Sequence, residues 1–245
     1  MIKARHVGAA LTIGVLGSGS ALAGEVSANA GITNNYVWRG LTQTLNDAAI
    51  SGGIDFAADN GFYIGTWVSN AKFADSDGFS YEHDIYFGFG GGEDFTWDVG
   101  YLYYNYDPDL STNFGEIYGS IGVGGFSFGL SILADAEPDE PMGMDFGFGQ
   151  AYYASVGYAF EIADGLELGL HAGYHDGDWV DYFNFGGIGI DSYIDYNVSL
   201  SKNGVSFMIS DTDLSPSDST VNPGFDAGYG NTDIRYVISY THEFD

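Results

Sequence analysis

Acidic side chains recur at every second position of several alternating segments, where carboxylates could bind cations or exchange protons. Nine acids and two arginines fall on the face of these segments opposite the apolar face. They are Arg39, Asp55, Glu82, Asp84, Asp98, Glu116, Glu167, Asp191, Asp195, Arg235 and Glu243. Rings of carboxylates that line a passage concentrate cations and repel anions. If the segments enclose a lumen, these residues are the candidate lining of a pore that prefers cations.

Catalytic chemistry has weaker support. Residues 125–129 match the G-x-S-x-G nucleophile elbow, which needs a strand, a sharp turn and then a helix. Ser127 lies inside an alternating segment that no helical pattern follows, so we interpret it as a small inward residue. His171 and His175 share one face, but about 13 Å of strand would separate them, too far to bind one metal. We predict no enzyme; a lipase with Ser and His on neighbouring strands is the alternative.

The elements that position these side chains are β-strands, because apolar and polar residues alternate with a period of two. In the last segment Ile234, Tyr236 and Ile238 fall on one face, and Arg235 and Val237 on the other. The pattern predicts twelve strands and no helix. Their approximate ranges are 26–39, 49–59, 61–70, 80–90, 95–106, 114–124, 126–134, 150–160, 165–175, 190–200, 204–212 and 232–244.

The joints between the predicted strands alternate between short and long. Turn-forming residues occupy the short joints, as in Asp59-Asn60-Gly61 and Lys202-Asn203-Gly204. The longer polar gaps lie at 40–48, 71–79, 107–113, 135–149, 176–189 and 213–231. Short turns at one rim and long loops at the other are typical of bacterial outer-membrane barrels. We therefore predict one all-β domain, a closed antiparallel transmembrane β-barrel with short periplasmic turns and long extracellular loops.

A soluble β-sandwich would also alternate, because one face of each sheet packs on a core. The crowding of Tyr, Trp and Phe near strand ends favours the barrel, since such residues form girdles at lipid interfaces. Barrels of about eight strands are filled by side chains, and those of about sixteen leave an open channel. Twelve strands predict a narrow passage, but acids paired with Arg39, Arg235 and tyrosine hydroxyls could also plug the lumen.

The first residues have the order of a secretory signal peptide. A short basic stretch precedes an apolar run at 7–16, and Ala21-Leu22-Ala23 resembles a cleavage site. The apolar run is too short to span a bilayer as a helix. We predict that residues 1–23 direct export and are removed near Ala23, which leaves residues 24–245 as the barrel.

The composition is strongly acidic, with 34 Asp and Glu against six Lys and Arg, and such a surface repels nucleic acid. No cysteine is present, so disulfides and thiolate metal sites are excluded. Acids in the gap at 135–149 could bind Ca²⁺ or Mg²⁺ weakly between lipopolysaccharide phosphates, although they lack EF-hand spacing. We predict no cofactor, and as partners outer-membrane lipid, lipopolysaccharide and small hydrophilic solutes or ions.

Several motifs resemble those of one protein family. They are Tyr36-Val37-Trp38-Arg39-Gly40, Gln43-Thr44, Gly52-Gly53, Asp55-Phe56, Gly61-Phe62-Tyr63-Ile64-Gly65-Thr66-Trp67, Ser69-Asn70, Asp84-Ile85-Tyr86, Trp97-Asp98-Val99-Gly100-Tyr101-Leu102-Tyr103-Tyr104-Asn105-Tyr106 and Glu116-Ile117-Tyr118. Over residues 26–120 the chain resembles the TorF family, exported proteobacterial proteins that are classed as porins and poorly characterised. The resemblance implies an outer-membrane barrel with a channel role, and it supplies no catalytic or ligand residues.

These patterns together predict a porin in the outer membrane of a Gram-negative bacterium, a narrow passive channel for small hydrophilic solutes with a cation preference. The alternative is a non-conducting structural or surface-binding barrel that acts through its acidic loops. Conductance steps without anion selectivity would favour the channel, whereas no conductance together with binding or envelope defects on loop deletion would favour the alternative.

Overall fold

Strands dominate the chain in a computed structural model, which describes residues 24–73, 78–108, 111–187, 189–215 and 233–244. The strands are β1 (Glu25–Thr33), β2 (Val37–Trp38), β3 (Leu41–Thr42), β4 (Ala49–Ala57), β5 (Phe62–Asn70), β6 (Tyr81–Gly92), β7 (Phe95–Asn105), β8 (Phe114–Val123), β9 (Phe126–Ala136), β10 (Ala151–Ala163), β11 (Leu166–Gly177), β12 (Ser192–Lys202), β13 (Val205–Thr212) and β14 (Arg235–Phe244). One helix, α1 (Asp178–Phe185), lies between β11 and β12. The predicted signal peptide, residues 1–23, lies outside the described residues.

Twelve of these strands form a closed antiparallel barrel. Each pairs with its neighbours in chain order, and β1 closes the ring by pairing with both β4 and β14. Ile32, for example, lies opposite Ile50 on one side and Tyr240 on the other. Closure gives each of the twelve barrel strands a hydrogen-bonded neighbour on both sides. The predicted barrel of twelve strands is therefore confirmed, and the alternative of a sandwich is wrong.

The two faces of the barrel wall differ in the way that alternation predicts. Outward side chains are apolar and exposed, as shown by Ile54 at 58% and Leu130 at 50% exposure. Inward side chains are polar or aromatic and buried, as shown by Asp84, Tyr86 and Tyr193 at 2–3%. A soluble monomer rarely exposes an apolar surface that encircles it in this way. No helix among the described residues is long and apolar enough to cross a membrane.

The joints follow the predicted alternation of short and long. Two-residue turns join several strand pairs at one rim, and Asn203-Gly204 is an example, with φ of 51° and 81°. Positive φ at both central residues is the geometry of a type I′ hairpin, whose twist matches that of the flanking strands. The long loops lie at the opposite rim, called here the long-loop rim.

The predicted absence of helix is wrong at one place, because α1 lies in the gap expected to be a polar loop at 176–189. Trp179, Val180 and Phe185 are buried, so packing against the barrel stabilises these two turns. Gly186, at φ 68°, ends the helix: its N–H donates to the Tyr182 carbonyl, and the N–H of Gly187 donates to the Asp181 carbonyl. Two turns are too short to show a helical period in the sequence.

Candidate pore constriction

The prediction for the first strand, 26–39, is wrong at its end. Strand β1 ends at Thr33, and the chain then turns inward into the barrel lumen. Residues 34–48, called here the inner segment, contain the small hairpin of β2 and β3. At the hairpin tip Arg39 and Gly40 have φ of 45° and 79°, which is again a type I′ turn. Leu41 is only 2% exposed, so the hairpin lies inside the barrel.

The Arg39 guanidinium forms a charge pair with the barrel wall. Its Nη1 and Nη2 donate to the two carboxylate oxygens of Glu116 at 2.8 and 2.6 Å, a bidentate fork. The guanidinium carbon lies 4.3 Å from the ring centre of Trp38 and 4.4 Å from that of Tyr153. Burial alone would lower the pKa of Arg39, but the Glu116 charge outweighs it and raises that pKa above its ordinary value. The guanidinium is therefore a fixed positive charge.

A neutral histidine completes the surroundings of Arg39. Nη1 of Arg39 lies 2.9 Å from Nε2 of His175. Because arginine can only donate, Nε2 must accept, and the ring hydrogen of neutral His175 belongs on Nδ1. Nδ1 lies 3.3 Å from the hydroxyl of Tyr193, which itself donates to the carbonyl of Arg39 at 2.9 Å. The wall therefore holds both the side chain and the backbone of Arg39.

Gly40 allows the hairpin tip to pack closely against strands β12 and β13. Arg235 donates from Nη1 to the Gly40 carbonyl at 2.6 Å. A Cβ atom at Gly40 would lie 2.6 Å from Cβ of Asp195 and 2.7 Å from Cγ2 of Thr212. Glycine is required here by space as well as by its positive φ.

Glu82 is held by two tyrosines from the loops. Tyr36 and Tyr106 donate to its two oxygens at 2.7 and 3.0 Å. Burial and the charge of Glu82 both raise the pKa values of these tyrosines well above the ordinary value, so each hydroxyl keeps its proton. Asp84 lies two residues farther along the same inward face and is 3% exposed. Among the described residues its Oδ1 has no hydrogen-bond partner.

Asp195 belongs to a third polar group on the wall. Tyr153 donates to its Oδ2 at 3.0 Å, and Nε2 of His171 lies 3.3 Å from its Oδ1. His171 and His175 take different partners. No three His, Asp or Glu side chains in the described parts of the chain are placed to hold a metal ion.

Two further predicted residues lie between the hairpin and the short-turn rim. Asp55 accepts a hydrogen bond from Tyr86 at 2.5 Å, and Asp98 accepts one from Tyr63 at 2.8 Å. The tyrosine rings lie against inward glycines of the neighbouring strands, since a Cβ at Gly65 would lie 2.5 Å from the Tyr86 ring. Glycine at inward positions therefore serves to accommodate tyrosine.

The remaining predicted residues do not join the constriction. Glu167 and Glu243 keep their inward register on β11 and β14, and Glu243 is exposed near the short-turn rim. Asp191 was expected on a strand, but β12 begins at Ser192. It lies exposed in the preceding loop, where its carbonyl accepts from Gly177 at 2.8 Å. The structure thus groups six of the predicted residues around the hairpin: Arg39, Glu82, Asp84, Glu116, Asp195 and Arg235.

Sequence reasoning missed an aromatic cluster above the hairpin, called here the aromatic cap. It consists of Trp38, Phe73, Phe79, Tyr106, Phe114, Phe146, Trp179 and Phe183. Phe114 lies at its centre, with ring centroids 5.1 Å from those of Trp179 and Phe183. Phe73, Phe79, Phe146, Trp179 and Phe183 come from gaps expected to be polar loops, whereas Trp38, Tyr106 and Phe114 come from predicted strands. The sequence signal for the loop residues was the high aromatic content of the gaps at 71–79 and 176–189.

Comparisons with known proteins give a family and a fold. The family model described as "Bacterial protein of unknown function (Gcw_chp)" matches residues 18–238. No curated protein matches the sequence. Among solved structures, the KdgM porin is 12% identical with a TM-score of 0.51, covering 91% of this chain and 100% of that chain.

Two other solved barrels are less similar. OprD of Pseudomonas aeruginosa is 12% identical with a TM-score of 0.39, covering 90% of this chain and 67% of that chain. The Salmonella typhi outer membrane phospholipase, a dimer with bound calcium, is 11% identical with a TM-score of 0.43, covering 92% of each chain. Because the family model spans most of the sequence, the chain belongs to the Gcw_chp family.

Proposed function

We propose that this protein is a passive channel in the bacterial outer membrane, which passes small hydrophilic solutes and ions and prefers cations. One observation carries the proposal: a closed barrel encloses a polar face on which carboxylates outnumber arginines. Around the hairpin lie four carboxyl groups, those of Glu82, Asp84, Glu116 and Asp195, and two guanidinium groups, those of Arg39 and Arg235. Carboxylates on a low-dielectric wall attract cations and repel anions.

The outward face supports a membrane location. Its exposed apolar side chains encircle the barrel, and the backbone of a closed barrel is satisfied without water, as hydrocarbon requires. Lipid and lipopolysaccharide are the partners that we propose for this face. The signal-peptide pattern in residues 1–23 supports export and cleavage near Ala23.

The inner segment sets the width of the proposed passage. The hairpin tip at Arg39 and Gly40 crosses the lumen and is anchored on opposite parts of the wall, to Glu116 and to Arg235. The channel is therefore narrow and selects small solutes. The KdgM porin has been solved with oligogalacturonate; for this chain we propose ions and small hydrophilic solutes instead.

Reconstitution into planar bilayers tests the proposal. Addition of the purified protein should produce discrete conductance steps. In a KCl gradient the reversal potential should have the sign of cation selectivity. Absence of steps from correctly folded protein, or anion selectivity, would overturn the proposal.

A second function, a non-conducting barrel that binds partners through its loops, is favoured by one observation. The hairpin and the aromatic cap together fill the long-loop end of the lumen, where Leu41, Phe114 and Val180 are 0–2% exposed. This function predicts no conductance, and envelope defects when the acidic gap at 135–149 is deleted. The bilayer experiment separates the two functions.

We also propose that the protein is not an enzyme and has no resident cofactor. Ser127 lies within β9, which continues to Ala136 and is followed by β10 rather than by a helix, so it does not form a nucleophile elbow. Weak Ca²⁺ or Mg²⁺ binding by the acidic loops remains a prediction. The TorF resemblance likewise stays a prediction, because the matching family model has another name.

A further inference from the structure

Arg39 is surrounded by groups of the kinds that proteins use to recognise a guanidinium group. A carboxylate accepts two parallel hydrogen bonds, and the guanidinium carbon lies over two aromatic rings, those of Trp38 and Tyr153. A neutral imidazole, His175, accepts a further hydrogen bond. A compact ammonium ion could not make this fork, since only the planar guanidinium matches it.

Most of this site belongs to the barrel wall and not to the hairpin. Glu116 lies on β8, Tyr153 on β10 and His175 on β11, and the strand ladders fix all three positions. Only Trp38 and Arg39 come from the inner segment. The wall groups would therefore keep their positions if the hairpin tip moved away.

More carboxyl groups lie around the site than Arg39 alone pairs with. Glu82 already accepts bonds from two tyrosines, and Glu116 is paired with Arg39. Asp84 lies on the same inward face as Glu82 and is 97% buried, yet its Oδ1 has no hydrogen-bond partner among the described residues. A buried carboxylate oxygen without a donor is costly, so this place favours the approach of a second cation.

We propose that Arg39 occupies a solute-binding site. When Arg39 leaves this site, the wall of the constriction binds the guanidinium group of a small permeating cation. In this proposal Asp84 attracts the incoming guanidinium group, which then replaces Arg39 on Glu116 and Tyr153 while the hairpin tip is displaced. The inference rests on the proposed channel function, because it places the site in the passage. It adds a solute class, guanidinium compounds, to that function.

Binding can be measured without conduction. The variant Arg39→Ala, purified in detergent, is titrated with ethylguanidinium and with the neutral N-ethylurea, and tryptophan fluorescence is followed because Trp38 lines the site. Ethylguanidinium should bind about tenfold or more tightly than N-ethylurea, since its hydrogen bonds are charge-assisted. The difference should disappear in Arg39→Ala/Glu116→Gln. Should Arg39→Ala not fold, Arg39→Gln serves the same titration with a side chain of closer size.

Uptake into liposomes tests the same site in the wild-type channel. L-arginine and L-lysine have the same charge, so a general cation preference treats them alike, whereas the fork favours arginine. Arginine should enter faster than lysine at low concentration, and Glu116→Gln should abolish the difference. Glu93→Gln, an identical substitution at an exposed turn between β6 and β7, should preserve it.

The outcomes separate this inference from the channel proposal. Preferential ethylguanidinium binding by the Arg39 variants without flux of any solute would overturn the channel and leave the guanidinium site standing. Ion conductance with equal binding of ethylguanidinium and N-ethylurea, or with equal uptake of arginine and lysine, would overturn the guanidinium site and leave the channel standing.

Discussion

The two halves of the barrel interior are built from the same alternating strands but are filled differently. Toward the long-loop rim, inward residues such as Tyr106, Phe114 and Glu116 are large and buried, and they pack around the hairpin. Toward the short-turn rim, inward residues such as Ser127 and Glu243 remain exposed. The strand number is the same in both halves. The size of the inward side chains and the inserted hairpin therefore determine where the lumen is narrow.

The polar groups of the two halves also differ in their partners. In the constriction, Glu116 and Arg39 form a pair in which both side chains are at least 93% buried. Glu243, on the same inward register near the opposite rim, is in contact with solvent. A buried charge depends on its partner, whereas a solvated one does not. Substitutions in the two halves should therefore have unequal consequences.

The largest expected effect comes from removing the hairpin. Replacing residues 36–43 by a short Gly-Ser linker takes away the tip and Arg39 while all twelve barrel strands remain. Single-channel conductance should rise several-fold, and the cation preference should increase because Glu82 and Glu116 lose a neighbouring positive charge. Ser127→Ala, in the open half, should leave both quantities unchanged. Equal conductance with and without the hairpin would show that the halves do not differ in width.

A smaller effect is expected on stability. Glu116→Gln leaves the Arg39 guanidinium buried without its counter-charge, which should lower the free energy of unfolding by about 3–5 kcal/mol. Glu243→Gln removes the same charge from the solvated half and should change it by less than about 0.5 kcal/mol. Urea titration of both variants in detergent measures the difference. Equal losses would contradict the contrast between a buried pair and a solvated acid.

The smallest effect concerns pH at the long-loop rim. Burial alone would raise the pKa of Asp107, but bonds from the Ser80 hydroxyl and the N–H groups of Ser80 and Tyr81 lower that pKa. Because the folded pKa is depressed, this stabilisation is present above the unfolded value of about 3.9 and is lost as pH falls through the folded value.

The protection factor of the Ser80 amide, the intrinsic exchange rate divided by the observed rate, should therefore fall at low pH in the wild-type protein. In Asp107→Asn the protection factor should already be lower at neutral pH and should have lost this part of the pH dependence. The inner segment, held by Glu116, should keep its protection in both proteins. Loss of protection at Arg39 together with Ser80 would show that the outer loops and the hairpin open as one unit.

Most of the barrel could be predicted from the sequence because its determinants are local. Alternation with period two fixes which side chains face inward, and turn residues such as Asn203-Gly204 fix where strands end. Both signals lie within a few residues of the chain. For the same reason the register of Asp84, Asp98 and Glu116 could be predicted before their partners were known.

The constriction could not be predicted in the same way, because its contacts are distant in sequence. Arg39 meets Glu116 and His175, which are 77 and 136 positions away. The stretch from Tyr36 to Trp38 alternates like a strand, but the positive φ at Arg39 and Gly40 turns it back on itself. Strand periodicity alone does not distinguish a wall strand from a hairpin inside the lumen.

The reversal potential in a KCl gradient tests the central claim most directly. We predict discrete conductance steps with a cation-selective potential that becomes less selective in Asp84→Asn and stays unchanged in Glu93→Gln. A barrel that folds and inserts but does not conduct, or that conducts with an anion-selective potential, would contradict the claim that the inward carboxylates line a cation-preferring passage.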